Sequence, residues 1–160
     1  MRTLPLICLL LASALSACGY SVKREPAVKE VSIGYLDNRT HEPGLSDSLR
    51  TALTLELAAR GVRASDGADT KITGTIAGLS VSPLAERRGT LVKFSVSMDG
   101  DFMLTGPGEE QRKLGTPLHY IVAFGSDAEL GELYSMRDEA VRRAVADLAS
   151  DIAAAVAEDR

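Results

Sequence analysis

From Thr90 to Leu104 the chain alternates with a period of two. Val92, Phe94, Val96, Met98, Phe102 and Leu104 fall on one side, and Lys93, Ser95, Ser97, Asp99 and Asp101 on the other. Successive side chains of a strand point to opposite faces of its sheet, so this spacing predicts a strand with one apolar and one polar face. The apolar face requires a covering layer and the polar face does not. The run is long for one strand, and its end is expected to protrude or to bend at Gly100.

Further strands follow from the same pattern. Val31-Ser32-Ile33-Gly34-Tyr35 alternates, with Val31, Ile33 and Tyr35 expected on one face. Val62-Arg63-Ala64 reads as a short strand entry. Thr70 to Ser82 is rich in Thr, Ile and Val, but its apolar phase shifts between Ile72/Ile76 and Leu79/Val81, which predicts a bulge near Gly78. Pro83 to Gly89 is expected as a loop carrying Arg87 and Arg88. Gly106-Pro107-Gly108 turns the chain, and Lys113 to Val122 is expected as a strand that Pro117 confines to an edge.

Two stretches carry the helical period instead. Leu45, Leu49, Leu53 and Leu57 recur every four residues, with Ala52 filling the stripe. Gly61 is placed to end this helix, Arg60 suits its negative end, and Pro43 is expected in its first turn. Asp37 to Gly44 (DNRTHEPG) is made of turn formers. The tail, about Asp127 to Glu158, has a stripe of Val141, Ala144, Val145, Leu148, Ile152 and Val156, with Asp127 as a candidate cap.

This order, β-α-β-β-β-α, predicts an α+β fold. The expected architecture is a mixed, mostly antiparallel sheet of four to five strands with two helices packed on one face. The first helix joins parallel strands by a right-handed crossover. The opposite sheet face, rich in Lys, Ser, Thr and Asp, is left free.

The start of the chain has a different character. Met1-Arg2 is followed by an apolar run from Leu4 to Leu15 and by small residues to Ala17, the order of a secretory signal. The run is shorter than the roughly 17–25 apolar residues of a spanning helix. Leu15-Ser16-Ala17-Cys18 resembles the lipobox of bacterial lipoproteins, in which cleavage precedes a cysteine whose sulfur carries diacylglycerol. The expected organisation is a leader at 1–17, a lipid-anchored tether at 18–30 and a single domain at 31–160. Gly19 after the cysteine leans toward the outer membrane. The predicted mature chain has 17 basic residues (18 less Arg2) against 22 acidic ones, a charge of −5. A net acidic domain is poorly suited to nucleic acid. Cys8 leaves with the leader and Cys18 is acylated, so no internal disulfide is expected.

Catalytic signatures are missing. There is no Gly-x-Ser-x-Gly elbow, no phosphate-binding Gly-x-x-x-x-Gly-Lys sequence and no zinc-type His and Cys spacing. His41 falls in a loop and His119 in an edge strand. Glu109-Glu110 sits in a glycine-proline turn, where a solvated tip is the simpler reading. Asn38-Arg39-Thr40 fits a glycosylation sequon, but its polar side chains are better used to close the turn. The sequence reads as a non-enzyme with no cofactor beyond the covalent lipid on Cys18.

Four features in order carry a resemblance: Cys18-Gly19-Tyr20; the strand Val31 onward with Asn38-Arg39-Thr40-x-Glu42-Pro43-Gly44-Leu45; Thr73-Gly74-Thr75-Ile76 followed by Pro83-Leu84; and a final alanine-rich helix. Together they resemble the lipopolysaccharide-assembly lipoprotein family, LptE. The resemblance implies an outer-membrane lipoprotein on the periplasmic side. It would plug the lumen of a large β-barrel of the LptD type, support assembly of that barrel and assist lipopolysaccharide transport. Implied partners are the barrel, lipopolysaccharide and the membrane through the anchor.

A barrel lumen is polar, so the hydroxyl-rich sheet face suits it, and Lys93, Ser95 and Ser97 are the candidate barrel-facing residues. Arg87 and Arg88 are the candidate lipopolysaccharide contacts, since guanidinium groups bind phosphate in a fork. An alternative is a periplasm-facing adaptor that activates a cell-wall synthase or assembles a secretion pore. Such lipoproteins also begin with a strand, an Asn-Arg-Thr-like turn and a helix. A third reading, a lone lipid carrier, requires a sizeable apolar cavity between sheet and helices. The alanine-rich stripe of the last helix argues for close packing instead.

Overall fold

A computed structural model describes residues 26–87, 90–114, 118–120 and 130–158, with side-chain detail for 26–82, 95–114 and 137–158. The chain runs through β1 (Glu30–Asn38), α1 (Leu45–Ala59), β2 (Arg63–Ala64), β3 (Lys71–Arg87), β4 (Thr90–Thr105), β5 (Gln111–Leu114), β6 (Leu118–Tyr120) and α2 (Leu130–Ala157). The sheet order is β2-β1-β3-β4-β5, with β6 also on β4. β1 is parallel to β2 and β3, and all other pairings are antiparallel. This is the expected α+β architecture with a mixed sheet.

Both helices bury their stripes against one sheet face. Leu49, Leu53 and Leu57 of α1 join Ile72, Ile76, Phe102, Val145 and Leu148 in a single core. The apolar phase of β4 holds in full where its side chains are described: Val96, Met98, Phe102 and Leu104 are all buried. In α2 the alanines Ala140, Ala144, Ala149 and Ala153 are buried as well. Where they meet a neighbouring helix, small side chains let the backbones approach closely.

The end of α1 follows from its sequence. Gly61 has φ 80°, a conformation in which a Cβ is strained. It lets the Gly61 N–H donate to the Ala58 carbonyl at 3.0 Å and the Val62 N–H to the Leu57 carbonyl at 2.9 Å. These two bonds satisfy helix-end carbonyls in the Schellman arrangement. Val62 then enters the core. Arg60 ties the two helices together by donating to Ser150 Oγ at 2.9 Å.

Parity along β3 decides which way its backbone points. The Ser32 N–H donates to the Thr70 carbonyl at 2.8 Å and the Arg39 N–H to the Ile76 carbonyl at 3.0 Å. Alternate residues Thr70, Ile72, Gly74 and Ile76 therefore turn their backbone groups toward β1. The bulge expected near Gly78 is present, as a register shift between Ile76 and Gly78. Its extra residue inverts the parity. Gly78, Ser80 and Ser82 bond to β4, and Leu79, Val81 and Pro83 point to the other side.

Several expectations are corrected. Tyr35 does not share the buried face of Val31 and Ile33; it is 74 % exposed and Leu36 is buried in its place. The reason is a second bulge, because β1 advances from Ile33 to Leu36 while β3 advances only from Ile72 to Gly74. Pro43 lies before α1, whose N-cap is Gly44. The preceding turn, closed by its own side chains, carries the chain one residue further. Pro83 to Arg87 is not a loop. It continues β3, with Pro83 opposite Phe94 and Arg87 opposite Thr90. Pro83 is tolerated because its missing N–H would face away from β4.

Of the expected strand at Lys113–Val122, the described residues lie in β5, which ends at Leu114, and in β6, Leu118–Tyr120. From the pair Phe102/Leu114 to the pair Met98/Leu118 both strands advance by the same number of residues, so β5 and β6 lie in one register along the β4 edge. Pro117 and Asp127 lie outside the described residues. Among the described residues no helix is long and apolar enough to cross a membrane.

Candidate partner-binding face

The helices cover one side of the sheet, so the candidate site is the other side. Beyond the point where β1 stops, at Asn38 opposite Ile76, the sheet narrows to the β3–β4 hairpin with β6 beside it. Ser80 stands opposite Ser97 and Ser82 opposite Ser95. Since each pair bonds through its backbone, the four side chains share one face. Ser80 Oγ and Ser97 Oγ lie 2.7 Å apart in a hydrogen bond. Four small hydroxyls on two adjacent strands form a flat polar patch. A partner's backbone or side chains can approach it closely, with each hydroxyl able to donate or accept.

Toward the base of the sheet the same face becomes charged. Lys113 forms an ion pair with Asp101 across β5 and β4. The Asp99 carboxylate lies over Gly78, and the Lys71 side chain lies over Gly34. Tyr35 stands exposed on β1 and its hydroxyl donates weakly to Asp37 Oδ1 at 3.4 Å.

The turn after β1 borders the hairpin. Asn38 Nδ2 donates to the Glu42 carbonyl at 2.7 Å, and Asn38 Oδ1 accepts from the Thr40 N–H at 3.0 Å and from Thr40 Oγ1 at 2.8 Å. Thr40 Oγ1 accepts in turn from the Glu42 N–H at 3.1 Å. The Asn-Arg-Thr-x-Glu sequence thus closes itself, as turn-forming side chains do. Glu42 reaches across to Arg137 of α2 in an ion pair. The Arg137 guanidinium holds the Glu42 carboxyl below the usual carboxylate range, and partial burial opposes this.

The sequence-derived residues divide as follows. Ser95 and Ser97 lie on the open face as expected. Lys93 is opposite Ala85 in the ladder. Arg87 is at the end of β3, and Arg88 and Cys18 lie outside the described residues. Sequence reasoning missed Ser80 and Ser82, which complete the hydroxyl patch. The signal was present in the phase shift at Gly78, since a bulge there places Ser80 and Ser82 on the face opposite Leu79 and Val81.

Comparison with known proteins gives one family and a set of solved folds. The family described as LptE, lipopolysaccharide-assembly, matches this chain over residues 28–156. Among solved structures, a minor lipoprotein from Acinetobacter baumannii superposes with a TM-score of 0.57 at 17 % identity, over 84 % of this chain and 95 % of that one. The rare lipoprotein B from Shewanella oneidensis gives a TM-score of 0.54 at 14 % identity, over 74 % of this chain and 90 % of that one. No curated protein sequence matches this chain.

Proposed function

The chain belongs to the LptE lipopolysaccharide-assembly family, and on that footing we propose that it plugs and supports assembly of an LptD-type barrel. As a member of that family it is a non-enzymatic protein of lipopolysaccharide assembly. In this reading Cys18 carries the lipid anchor after removal of residues 1–17, residues 18–30 form the tether, and 31–160 form the plug.

One observation carries the reading: the sheet face left open by the helices is hydroxylated along the hairpin, with Ser80 and Ser97 bonded to each other. A lumen wall is itself polar, so such a face can exchange hydrogen bonds with it without exposing apolar surface. Pro26 lies beside Gly61 and the Ala27 N–H donates to the Ala157 carbonyl at 3.2 Å. The tether therefore enters where both helices end, at the opposite end of β3 from Arg87. From that end the hairpin extends on the order of 50 Å, at about 3.4 Å per residue. This supports a domain held at the membrane by one end, with Arg87 and Arg88 carried into the barrel to meet lipopolysaccharide phosphates.

The test is in-cell photocrosslinking from positions 93, 95 and 97, with identification of the captured protein. A large outer-membrane barrel is expected. Capture of a cell-wall synthase or of a ring of identical chains would sink the proposal. Depletion is expected to leave the barrel misassembled and the surface poor in lipopolysaccharide.

A further inference from the structure

Tyr35 owes its exposure to the bulge in β1. Between Ile33 and Leu36 the strand holds one residue more than β3 sets opposite it. Bulges are uncommon in parallel pairs, and they serve to re-aim a side chain. Leu36 turns into the core and Tyr35 to the open face. The space over the neighbouring Gly34 is taken by the Lys71 and Thr73 side chains. A single exposed apolar side chain needs no explanation by itself. Leu55, the other large apolar side chain so exposed among the described residues, sits at a regular outward position of α1. Tyr35 differs from it in the bulge and in its neighbours. The Tyr35 hydroxyl donates to Asp37 Oδ1 at 3.4 Å, and Arg39 Nε donates to Asp37 Oδ2 at 3.0 Å. One carboxylate thus links an exposed tyrosine and an exposed arginine along the same strand.

We propose that Tyr35 is the anchor residue of the open sheet face. Its ring enters a slot in the wall of the barrel, and Arg39 beside it donates to oxygens at the rim of that slot. The identity of the partner rests on the barrel reading above; the anchor role rests on the bulge. Tyrosine and arginine are the residue types that concentrate binding energy at protein interfaces, and serine is under-represented there. Asp37 holds both side chains before any partner arrives, so less freedom is lost on binding. The serines exchange bonds with water for bonds with the partner, which shapes the contact but adds little to its strength. Tyr35 and Ser80 are separated by roughly 20 Å along β3, at about 3.4 Å per residue. A standard interface covers about 800 Å² on each partner, a patch roughly 28 Å across, so one wall can meet both.

A competition in cells tests the idea. Full-length wild-type and variant chains with different tags are coexpressed with the barrel, and their ratio in the purified complex is compared with their ratio in total membrane. Tyr35→Ala is expected to be depleted about thirtyfold, the effect of truncating a strong anchor. Tyr35→Phe keeps the ring and is expected within about threefold of wild type, as is Ser97→Ala. A photocrosslinker at position 35 is expected to capture the same protein as one at 95 or 97. Tyr35 is 74 % exposed, so the fold is not at stake, and an unchanged urea midpoint of the purified variant verifies this. Tyr35→Ala competing as well as wild type would overturn the proposal. So would Tyr35→Phe being depleted as strongly as Tyr35→Ala, or no capture from position 35 where 95 and 97 capture the barrel. If all three positions capture one protein that is not a barrel, and Tyr35→Ala loses it, the anchor stands and the barrel reading falls.

Discussion

Arg50 of α1 donates to the main-chain oxygen of Ile33 at 2.6 Å, and its second terminal nitrogen to that of Gly34 at 2.7 Å. One guanidinium fork thus closes both carbonyls that the β1 bulge leaves beyond the short β2. Arg50→Ala is expected to cost about 1 kcal/mol, the low end for bonds to a charged donor because the side chain is exposed. It should also open the β1 edge. Urea denaturation gives the first quantity, and a concentration-dependent shift on size-exclusion chromatography reports edge pairing.

Protonation of Glu42 should release the turn from α2. Its carboxyl is held below the ordinary glutamate value of about 4.3 by Arg137. A depressed folded-state value means stability present above the unfolded value and lost as pH falls through the folded one. Wild-type stability should therefore drop below about pH 4.3 more steeply than that of Glu42→Gln. The difference at neutral pH should be under about 1 kcal/mol, since both side chains are partly solvated. Denaturation midpoints from pH 7 to pH 3 give this comparison.

Gly74 is a position where a side chain has no room. A Cβ there would meet the Phe102 ring and approach the Asp101 carbonyl oxygen to 2.7 Å. Gly74→Ala should destabilise by about 1–3 kcal/mol through overpacking. Phe102→Ala, which empties a buried ring site, should cost about 3–5 kcal/mol. Combining the two should cost less than their sum, because the second substitution removes the clash with the ring and leaves only the close approach to the Asp101 carbonyl. Thermal or urea unfolding of the three variants measures the coupling.

Ala149→Leu tests the close packing of α2. Ala149 is fully buried, and added methylenes there should cost about 1–3 kcal/mol. Ala146→Leu, on the exposed side of the same helix, should change stability by less than about 0.5 kcal/mol. The contrast between the two variants separates packing from helix propensity.

Much of this was legible in the residues. The leucine stripe of α1, the Gly61 stop, the alternation of β4 and the Gly78 bulge each rest on local chemistry, and each is present. The family resemblance rested on ordered short motifs, and the family match over residues 28–156 takes in all of them except Cys18-Gly19-Tyr20. What misled was also specific. Pro83 reads as a strand breaker, yet it lies where no ladder donor is needed. Tyr35 reads as the third member of an alternating set, yet a bulge in the β1–β3 pair turns it outward. Both depend on which neighbour a strand has, and that is a long-range property.

The sequence alone determined the order of the main elements, the apolar stripes of both helices and of β4, and the identity of the side left without cover, because periodicity and turn chemistry act within a few residues. Only the tertiary structure decided where each strand stops relative to its neighbour. The early end of β1 brings Arg39 of one turn and Arg137 of the last helix to the same groove, beside a stretch of β3 that no strand among the described residues pairs on that side. Register is set by packing between distant segments, and no local pattern records it.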